Sequence, residues 1–419
     1  MQPDTSIRVG IIGLGVRGLD SVARNMAARY PDTMFLVTAL CDQNPQRIGE
    51  AQAYLQHHYA AHGVEIDARH YTNGLELVED PNVDLVVITS ITDTHCKFTV
   101  PALRSRKKVY CDKPLAHNVE DAVAIVEAEA ESQNQLIMGF TRRYELAWVK
   151  AYELLQDGAI GDLVMLQVRN IIPYHRYLTA WWRRRAWSGG ALNDKGSHIF
   201  DVFNWFSGSR AVKVQGFGGR SMIQPDPNAP QRCRDCDRDC PYRRRSFATG
   251  LPVTDDMKLH AGPSWLQETD EKYMDDICVY APGSDLYHNG SIHFSYENGV
   301  IASYFYTIFG PPAKDEETLE LVGTKGRLIL TRHTGAVDVV TDYGRTHYVL
   351  DCRDEHFADS HFGADIAMVK ELRAFCDGAP PTVSARAGLE ATRMVMAAFK
   401  SMDAGGATVQ LQEIADARV

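Results

Sequence analysis

Short apolar runs alternate with amphipathic segments through the first 140 residues of the chain. The runs read IRVGIIGLGVRG (7–18), FLVTALCD (35–42), DLVVITS (84–90), KKVYC (107–111) and QLIMG (135–139). The segments LDSVARNMAARY, HCKFTVPALRS and NVEDAVAIVEAEAES between them repeat apolar residues at helical spacing. Continuous apolar strands that alternate with amphipathic helices predict a doubly wound parallel sheet covered on both faces. We therefore predict a first α/β domain over residues 1–140.

Strand patterns dominate the second half of the chain. They read LVMLQVRNI, AVKVQGFG, SIHFSYE, VIASYFYTI, LELVG, RLIL and AVDVVT, and Asn298-Gly299 is a strong hairpin signal. Alternation in SIHFSYE and VIASYFYTI predicts a sheet with one face on helices and the other on a partner. We predict a second α/β domain over 141–419, interrupted by an insertion at about 221–275. Its closing helix, 384–404, is expected to pack back toward the first domain.

Composition narrows the class of protein. The chain has 419 residues, which fits two domains, and its formal net charge of −10 argues against general nucleic-acid or anionic-membrane binding. No run of 18 apolar residues exists, so no transmembrane helix is expected. The segment MQPDTSIRVG enters a strand pattern at once and leaves no room for a signal peptide, so we expect a cytoplasmic protein.

Three glycines follow the first predicted strand. Gly13, Gly15 and Gly18, with Val16 and Arg17 between the last two, form G-x-G-x-x-G before a predicted helix. This position favours a dinucleotide-binding turn over a plain tight turn, because the helix N-terminus also attracts phosphate. Asp42 ends the second strand, where a carboxylate binds the ribose 2′-OH of NAD and repels the 2′-phosphate of NADP. Arg47 is near enough in sequence to bind that 2′-phosphate, so NADP remains an alternative coenzyme.

The chain resembles the glucose–fructose oxidoreductase, inositol dehydrogenase and rhizopine catabolism (Gfo/Idh/MocA) family over nearly its whole length. The segments that carry the resemblance are VGIIGLGVRG, CDQNP, THCKFTVPALRSRKKVYCDKPLA, GAIGDL, SGGALNDKGSHIFDVFNWF, ENGVIASY and GTKGRLIL. The resemblance implies an N-terminal Rossmann domain and a C-terminal α/β domain with a large, mostly antiparallel open sheet. It further implies tightly bound NAD(P), a sugar or cyclitol substrate, and a homodimer or homotetramer joined by the open face of that sheet.

The tetrapeptide CDKP matches the family's E-K-P signature, with Asp112 in place of glutamate. The resemblance makes Lys113 the candidate catalytic lysine, since an ammonium can donate to an oxygen that alternates between hydroxyl and carbonyl. Without the family, Lys113-Pro114 would be a surface turn. Asp112 and Lys113 are also candidates for coenzyme contact, and His95 corresponds to a family histidine expected near the coenzyme ribose.

The segment SGGALNDKGSHIFDVFNWF (188–206) places Asp194 and His198 four residues apart, on one face of a predicted helix. The family has a similar D-x-x-x-H pattern beside the nicotinamide. His198 is the candidate general base, because imidazole titrates near neutral pH. Asp194 would orient His198 or bind the substrate hydroxyl. The alternatives are a helix-capping acid for Asp194 and a buried structural histidine for His198.

The segment YHRYLTAWWRRRAW (174–187) is dense in aromatic residues and arginines. Aromatic faces suit the C–H face of a sugar, and arginine suits carboxylate or phosphate. We predict that this loop shapes the substrate pocket, with Tyr174, Trp182 and Arg183 as candidate contacts. An oligomer contact or a solvated basic patch is the alternative.

The predicted insertion contains C-x2-C-x3-C at Cys233, Cys236 and Cys240, and Cys278 follows in the next strand pattern. Four thiolates are the tetrahedral set that zinc prefers, although the spacing also admits an iron–sulfur cluster. We hypothesise a structural zinc; free thiols or a redox disulfide are the alternatives. The chain's nine cysteines are odd in number and scattered, so they do not form a disulfide framework.

These features predict an NAD(P)-dependent oxidoreductase that transfers hydride between nicotinamide and a secondary alcohol or ketone of a sugar, sugar acid or cyclitol. A glycoside-cleaving enzyme that oxidises its substrate transiently on the same fold is one alternative. A non-catalytic NAD-sensing protein with a cysteine switch is another. Lys113 and His198 serve both enzymatic mechanisms, and their presence argues against the third.

Overall fold

A computed structural model describes residues 6–133, 135–172, 175–240, 242, 270–274, 276–310 and 313–415. Most of the predicted insertion at 221–275, and Tyr174 of the aromatic loop, therefore lie outside the described residues. Within the described part of the chain, no helix is both long and apolar enough to cross a membrane.

The first half forms a six-stranded parallel sheet. Its strands are β1 (Ile7–Ile12), β2 (Phe35–Cys41), β3 (Arg69–Tyr71), β4 (Leu85–Ile88), β5 (Lys108–Cys111) and β6 (Leu136–Met138). The spatial order is β3-β2-β1-β4-β5-β6, the order of a doubly wound dinucleotide-binding sheet. Every side chain of β4 is buried, which explains its uninterrupted apolar sequence. The structure confirms the predicted Rossmann-like architecture.

Helices cover this sheet on both faces. They are α1 (Arg24–Ala28), which continues a π-helical segment at Arg17–Ala23, α2 (Tyr30–Thr33), α3 (Pro45–Ala60), α4 (Gly74–Glu79), α5 (His95–Arg104) and α6 (Val119–Glu131). Asparagine begins three of them: Asn44, Asn73 and Asn118 each accept a backbone N–H of the first turn, at 2.7–3.1 Å. These caps satisfy N–H groups that the helix itself cannot, and so fix where each helix begins.

The second half forms a nine-stranded sheet. Its strands are β7 (Leu163–Ile171), β8 (Ala211–Gly219), β9 (Asn289–Tyr296), β10 (Ile301–Thr307), β11 (Glu317–Gly323), β12 (Arg327–Thr331), β13 (Ala336–Thr341), β14 (Thr346–Asp351) and β15 (Val409–Gln410). The order is β14-β13-β12-β11-β7-β10-β9-β8-β15, and only β7 and β10 pair in parallel. The predicted, mostly antiparallel sheet is confirmed.

The remaining helices pack on one face of this sheet or return to the first one. They are α7 (Leu146–Gln156), α8 (Arg185–Ser188), α9 (Gly190–Ser207), α10 (Ala364–Cys376), α11 (Ala385–Asp403) and α12 (Gln412–Ala415). Single 3₁₀ turns lie at Thr92–Thr94, Thr141–Arg143, His175–Leu178, Ala180–Arg183, Cys233–Asp235, Arg332–Thr334, Asp342–Gly344 and Ser360–Gly363. Phe200 and Phe203 of α9 pack against Phe294 of β9, and the ring of Phe200 also meets Tyr304 of β10.

Both long C-terminal helices contact the first half of the chain. Helix α11 packs on α6, and just before it Val383 accepts a hydrogen bond from Met138 at the end of β6, at 2.9 Å. Helix α10 places Met368, Leu372 and Phe375 in the same apolar core as β1 and β2. The packing of α10 was not predicted from the sequence. It brings residues from the end of the chain to the glycine turn of the first sheet.

Candidate active site

The glycine turn has the shape that a dinucleotide needs. Gly13 has φ of 94°, and a β-carbon there would lie 2.6 Å from the backbone of Ser90. A β-carbon at Gly18 would lie 2.2 Å from the carbonyl oxygen of Gly13, so the helix can approach the strand only with glycine at this position. At Gly15, by contrast, a β-carbon would meet nothing within 4 Å. The open side at Gly15 is where a pyrophosphate would approach, so these residues fit the coenzyme.

Asp42 lies at the carboxyl end of β2 and is 8% exposed. One carboxylate oxygen accepts the backbone N–H of Leu14 at 3.1 Å, and the other accepts that of Asn44 at 3.0 Å. Arg47 forms an ion pair with the same carboxylate at 3.0 Å. Asp42 thus stands beside the glycine turn, as the ribose prediction requires, while the paired Arg47 leaves the choice between NAD and NADP a prediction.

Arg17, within the glycine turn, points its guanidinium into the protein. Its Nε donates to Asp112 at 2.9 Å, its Nη2 to the Tyr110 hydroxyl at 2.8 Å, and its Nη1 to Asp365 of α10. Burial would lower the pKa of Arg17, but Asp112 and Asp365 raise it well above its ordinary value. The arginine is therefore a charged brace between the turn, β5 and α10. The predicted contacts with phosphate would therefore come from backbone N–H groups of this turn, in which Val16 is 52% exposed.

Lys113 and Asp194 meet across the two halves of the chain. The Lys113 ammonium donates to the Asp194 carboxylate at 2.7 Å and to its carbonyl oxygen at 3.2 Å. The second carboxylate oxygen accepts the hydroxyl of Tyr177. Burial would raise the pKa of Asp194, but Lys113 and Lys195 hold it well below its usual range. The carboxylate is thus ionised and contacts Lys113 and Tyr177 rather than His198.

His198 lies one turn further along α9, is 4% exposed and packs against the ring of Phe140 at 5.7 Å. Burial, followed by the charges of Lys113 and Arg142, lowers its pKa well below 6.5. Among the described residues, its buried Nδ1 has no hydrogen-bond partner. The imidazole is therefore neutral near pH 7 and able to accept a proton.

Arg142, one of the cations that lower the pKa of His198, is fixed by a buried ionic network. Arg142 donates to both carboxylate oxygens of Glu317 at 2.8 and 2.9 Å and to Glu145 at 2.8 Å. Arg332 completes the network through two bonds to Glu145 at 2.7 and 2.8 Å. Since every member is paired, the network can hold positive charge near His198 without an exposed counter-ion.

His95 is 1% exposed and joins two strand-end loops. Its Nδ1 lies 2.8 Å from the carbonyl oxygen of Pro114, and its Nε2 lies 3.0 Å from that of Ser90. Both ring nitrogens are therefore engaged by the backbone. His95 fixes the loop that carries Lys113, while its predicted contact with the coenzyme ribose stays a prediction.

The aromatic loop supplies a close pair of indoles whose planes are tilted by 32°. The rings of Trp181 and Trp182 lie 4.1 Å apart, and Tyr177 contacts Trp182 at 5.9 Å. Arg183 is fully buried, where it donates to Glu271 and to the carbonyl oxygen of Ala281 at 2.7 Å. These contacts favour a structural role for Arg183. The substrate roles of Trp182 and Arg183 stay predictions, as does that of Tyr174, which lies outside the described residues.

The four cysteines of the zinc hypothesis divide into two buried ones, Cys233 and Cys278, and two partly exposed ones, Cys236 and Cys240. Within the described parts of the chain, no three histidine, cysteine or acidic side chains converge as a metal site. The structural zinc therefore stays a hypothesis, and no part of the chemistry below depends on a metal.

A surface cavity of about 180 Å³ lies between the end of α9, β8 and α11. Its lining includes Arg143, Trp205, Arg210 and Arg386, and none of the proposed catalytic residues. Arg143 is already paired with Asp201 at 2.8 Å. This cavity is separate from the candidate active site.

Three contributors to the site were not among the predicted site residues. Tyr177 was noted only as part of an aromatic segment, and Arg142 and Asp365 belong to no motif. The signal for Tyr177 was its position in a loop leading to Asp194, but a sequence does not show which of several aromatic rings reaches that carboxylate.

Comparison with known proteins gives a family for both halves of the chain. The pattern of the Gfo/Idh/MocA family described as “Oxidoreductase family, NAD-binding Rossmann fold” matches residues 7–140. The pattern of its “C-terminal alpha/beta domain” matches residues 152–411. The two matches cover the segments that carry Lys113, Asp194 and His198.

Individual relatives cover most of the chain. YteT of Bacillus subtilis, named as an oxidoreductase, is 28% identical over 330 residues, which cover 75% of this chain and 74% of YteT. The myo-inositol 2-dehydrogenase of Thermotoga maritima is 25% identical over 413 residues, 97% of this chain and 99% of that enzyme. A solved levoglucosan dehydrogenase in complex with NADH and levoglucosan shares the fold, with a TM-score of 0.72 and 16% identity over 97% of this chain and all of that one.

Proposed function

The chain belongs to the Gfo/Idh/MocA family of NAD-binding oxidoreductases, and on this premise we propose that it is a dehydrogenase of a sugar, sugar acid or cyclitol. It oxidises a secondary alcohol of that substrate, or reduces the corresponding ketone. The observation that carries the proposal is the contact of Lys113, from the loop after β5, with Asp194 on α9, beside a neutral His198.

The coenzyme would be held by the backbone of the glycine turn, where Gly15 leaves room for phosphate, and by Asp42 at the end of β2. NAD supplies, when bound, the nicotinamide carbon that accepts or returns the hydride. We propose NAD rather than NADP because a carboxylate at the position of Asp42 repels a 2′-phosphate. Arg47, paired with that carboxylate, is the residue that could weaken this preference.

The protein's own groups handle the proton. In the oxidation direction, the neutral imidazole of His198 takes the proton of the substrate hydroxyl, while the carbon that bears this hydroxyl loses its hydrogen as hydride. The Lys113 ammonium donates to the same oxygen and stabilises the negative charge that develops as its proton departs. In the reduction direction the imidazolium returns the proton. Asp194 and Tyr177 keep the ammonium in position without consuming a proton.

The substrate class is argued from the loop beside Tyr177. The paired indoles of Trp181 and Trp182 offer flat apolar surface next to the Lys113–Asp194 contact, which suits the C–H face of a ring with many hydroxyls. Two of the similar proteins are named for such substrates, myo-inositol and levoglucosan. Both are therefore rational members of a substrate panel.

The proposal is tested by adding NAD and a panel of polyols to purified protein and following absorbance of reduced coenzyme. The panel contains myo-inositol, other cyclitols, levoglucosan, aldoses and aldonic acids. We expect turnover with at least one member, and its loss in Lys113→Met and His198→Asn. Absence of both turnover and dinucleotide binding would refute the proposal. Release of nitrophenol from a nitrophenyl glycoside, without net coenzyme reduction, would favour the glycoside-cleaving alternative.

We also propose that the open face of the nine-stranded sheet joins two copies of the chain. Val322, Met165 and Ile301 are register partners on β11, β7 and β10, and they are 38%, 46% and 37% exposed. Phe305, further along β10, is 51% exposed. A contiguous apolar row on a sheet face typically marks an interface. Light scattering should give a dimer or tetramer, and Phe305→Glu should shift it toward monomer; a monomeric wild type would refute this.

A further inference from the structure

The turn that precedes α10 has a rare backbone conformation. His361, Phe362 and Gly363 follow one another with φ of 50°, 53° and 83°. Glycine adopts such angles readily, but residues with a β-carbon seldom do. Left-handed residues of this kind concentrate at functional sites, where the surrounding contacts hold them in place.

The side chains of Phe362 and His361 both have defined contacts. The Phe362 ring covers the guanidinium of Arg332 at 4.6 Å and meets the ring of His333 at 5.3 Å. His361 places its Nδ1 2.8 Å from a carboxylate oxygen of Asp365, in the first turn of α10. The strained backbone therefore serves to aim the imidazole of His361 at Asp365.

Asp365 links His361 to the glycine turn. Its side chain is 1% exposed, one carboxylate oxygen faces His361, and the other accepts from Arg17. Burial would raise the pKa of Asp365, but Arg17 and His361 keep it well below its usual range. Because Asp365 is ionised, Nδ1 of His361 carries a proton that it donates. In a neutral imidazole, Nε2 is then an acceptor.

The free side of His361 faces solvent between two parts of the site. Its side chain is 36% exposed, and within the described residues no protein group bonds its Nε2. Through Asp365 it is tied to Arg17 in the phosphate-binding turn. On its other side, the ring of the adjacent Phe362 covers Arg332, which belongs to the ionic network of Arg142. His361 thus lies between the turn for the pyrophosphate and the ionic network that holds Arg142.

We propose that His361 is a coenzyme-binding residue whose Nε2 accepts a hydrogen bond from a hydroxyl of the ribose next to the nicotinamide, with Asp365 as its positioning residue. This inference rests on the proposed function, because it requires a dinucleotide in the cleft. The ribose is the group of the coenzyme that joins the pyrophosphate to the reacting ring. It carries hydroxyl donors suited to a neutral imidazole acceptor.

The test is calorimetric titration of the full chain with NADH, ADP-ribose and ADP. His361→Asn is the informative variant, because asparagine tolerates left-handed backbone but is too short to replace Nε2. Loss of one hydrogen bond to the ligand should raise the Kd of NADH and of ADP-ribose about tenfold. The Kd of ADP, which lacks the second ribose, should stay within twofold. Asp365→Asn should raise the Kd of ADP-ribose more than that of ADP, because it releases His361 as well as Arg17.

His356→Asn is the matched control. His356 lies in the same segment, pairs with Asp359 at 3.2 Å and has a comparable 34% exposure, but it has no bond to the glycine turn among the described residues. It should leave all three Kd values unchanged. Equal binding of NADH by wild type and His361→Asn would overturn the inference, as would equal losses for ADP and ADP-ribose. A wild type that binds no dinucleotide at all would instead refute the proposed function.

Discussion

Replacing Asp194 by asparagine removes one charge from the candidate active site while nearly preserving its shape. The carboxylate accepts the ammonium of Lys113 at 2.7 Å and the hydroxyl of Tyr177. Hydrogen bonds to a charged partner stabilise by about 1–1.5 kcal/mol more than neutral ones. Two such bonds weaken in the variant, so the loss is about 2–3 kcal/mol. If Lys113 acts in the transition state, this converts to about a 30- to 150-fold fall in kcat/KM.

The assay is coenzyme reduction with the best polyol of the panel, combined with direct titration of NADH. None of the partners of Asp194 belongs to the glycine turn, so the Kd of NADH should change less than twofold. Asp201→Asn is the matched control: Asp201 lies on the same helix, is 1% exposed and pairs with Arg143 at 2.8 and 2.9 Å. It should lower the thermal midpoint but leave kcat/KM within threefold of wild type.

Two results would refute the reasoning about Asp194. The first is Asp194→Asn with kcat/KM within threefold of wild type, which would mean that the ion pair does not position a reacting group. The second is an Asp201→Asn variant as inactive as Asp194→Asn, which would mean that the loss reflects the stability of α9 in general.

Four further changes follow from the same geometry. Tyr177→Phe should lower kcat/KM about fivefold to tenfold, through one weakened bond, and add little in the Asp194→Asn background, which a double-mutant cycle measures. Gly18→Ala places a β-carbon 2.2 Å from the carbonyl oxygen of Gly13 and should raise the Kd of NADH more than tenfold, as measured by calorimetry. An unchanged Kd would contradict the assignment of this turn to the coenzyme. Asp42→Ala should raise the kcat/KM ratio of NADP to NAD, and a ratio that stays constant would exclude Asp42 as the discriminating group. Burial lowers the pKa of His198, and protonation would prevent it from acting as a base, so the oxidation rate should fall only well below pH 6.5. A pH–rate profile that already falls at or above pH 6.5 would argue against His198 as the base.

The same lowered pKa affects stability. An unfolded chain binds a proton to His198 near pH 6.5, while the folded chain does so only at lower pH. The unfolded state therefore binds more protons in the interval between the two values, and stability falls as pH is lowered through it. His198→Asn removes this contribution, so its urea midpoint should depend less on pH between those limits than that of wild type.

Much of the fold could be predicted because its signals are local. Buried parallel strands give continuous apolar runs, and β4 is an example in which every side chain is buried. The glycine turn could be predicted because its three glycines lie within six residues, and the structure places Ser90 against Gly13 and the carbonyl oxygen of Gly13 against Gly18. The approach of Lys113 to the helix that carries Asp194 could be expected only through the resemblance, because 81 residues separate the two.

Contacts between distant loops could not be predicted, because the path of each loop decides them. Arg17 and Asp365 are 348 residues apart and belong to no common motif. Arg17 stands in a segment where the sequence favours a phosphate contact, yet each of its donor nitrogens is used by Tyr110, Asp112 or Asp365. Because the Arg17 guanidinium is used for contacts within the protein, it is not available to bind a phosphate.

The contacts of Arg17 also give a reason for the return of the end of the chain to the first sheet. A glycine turn has no side chains to hold its own shape at Gly13, Gly15 and Gly18, so neighbouring residues must supply the rigidity. Arg17 does so by tying the turn to the loop of Lys113, through Asp112, and to α10, through Asp365. The glycine turn and the candidate catalytic lysine are thereby braced by the same guanidinium. A change at Arg17 should consequently disturb coenzyme binding and the position of Lys113 together, whereas a change at Asp42 should affect the coenzyme alone.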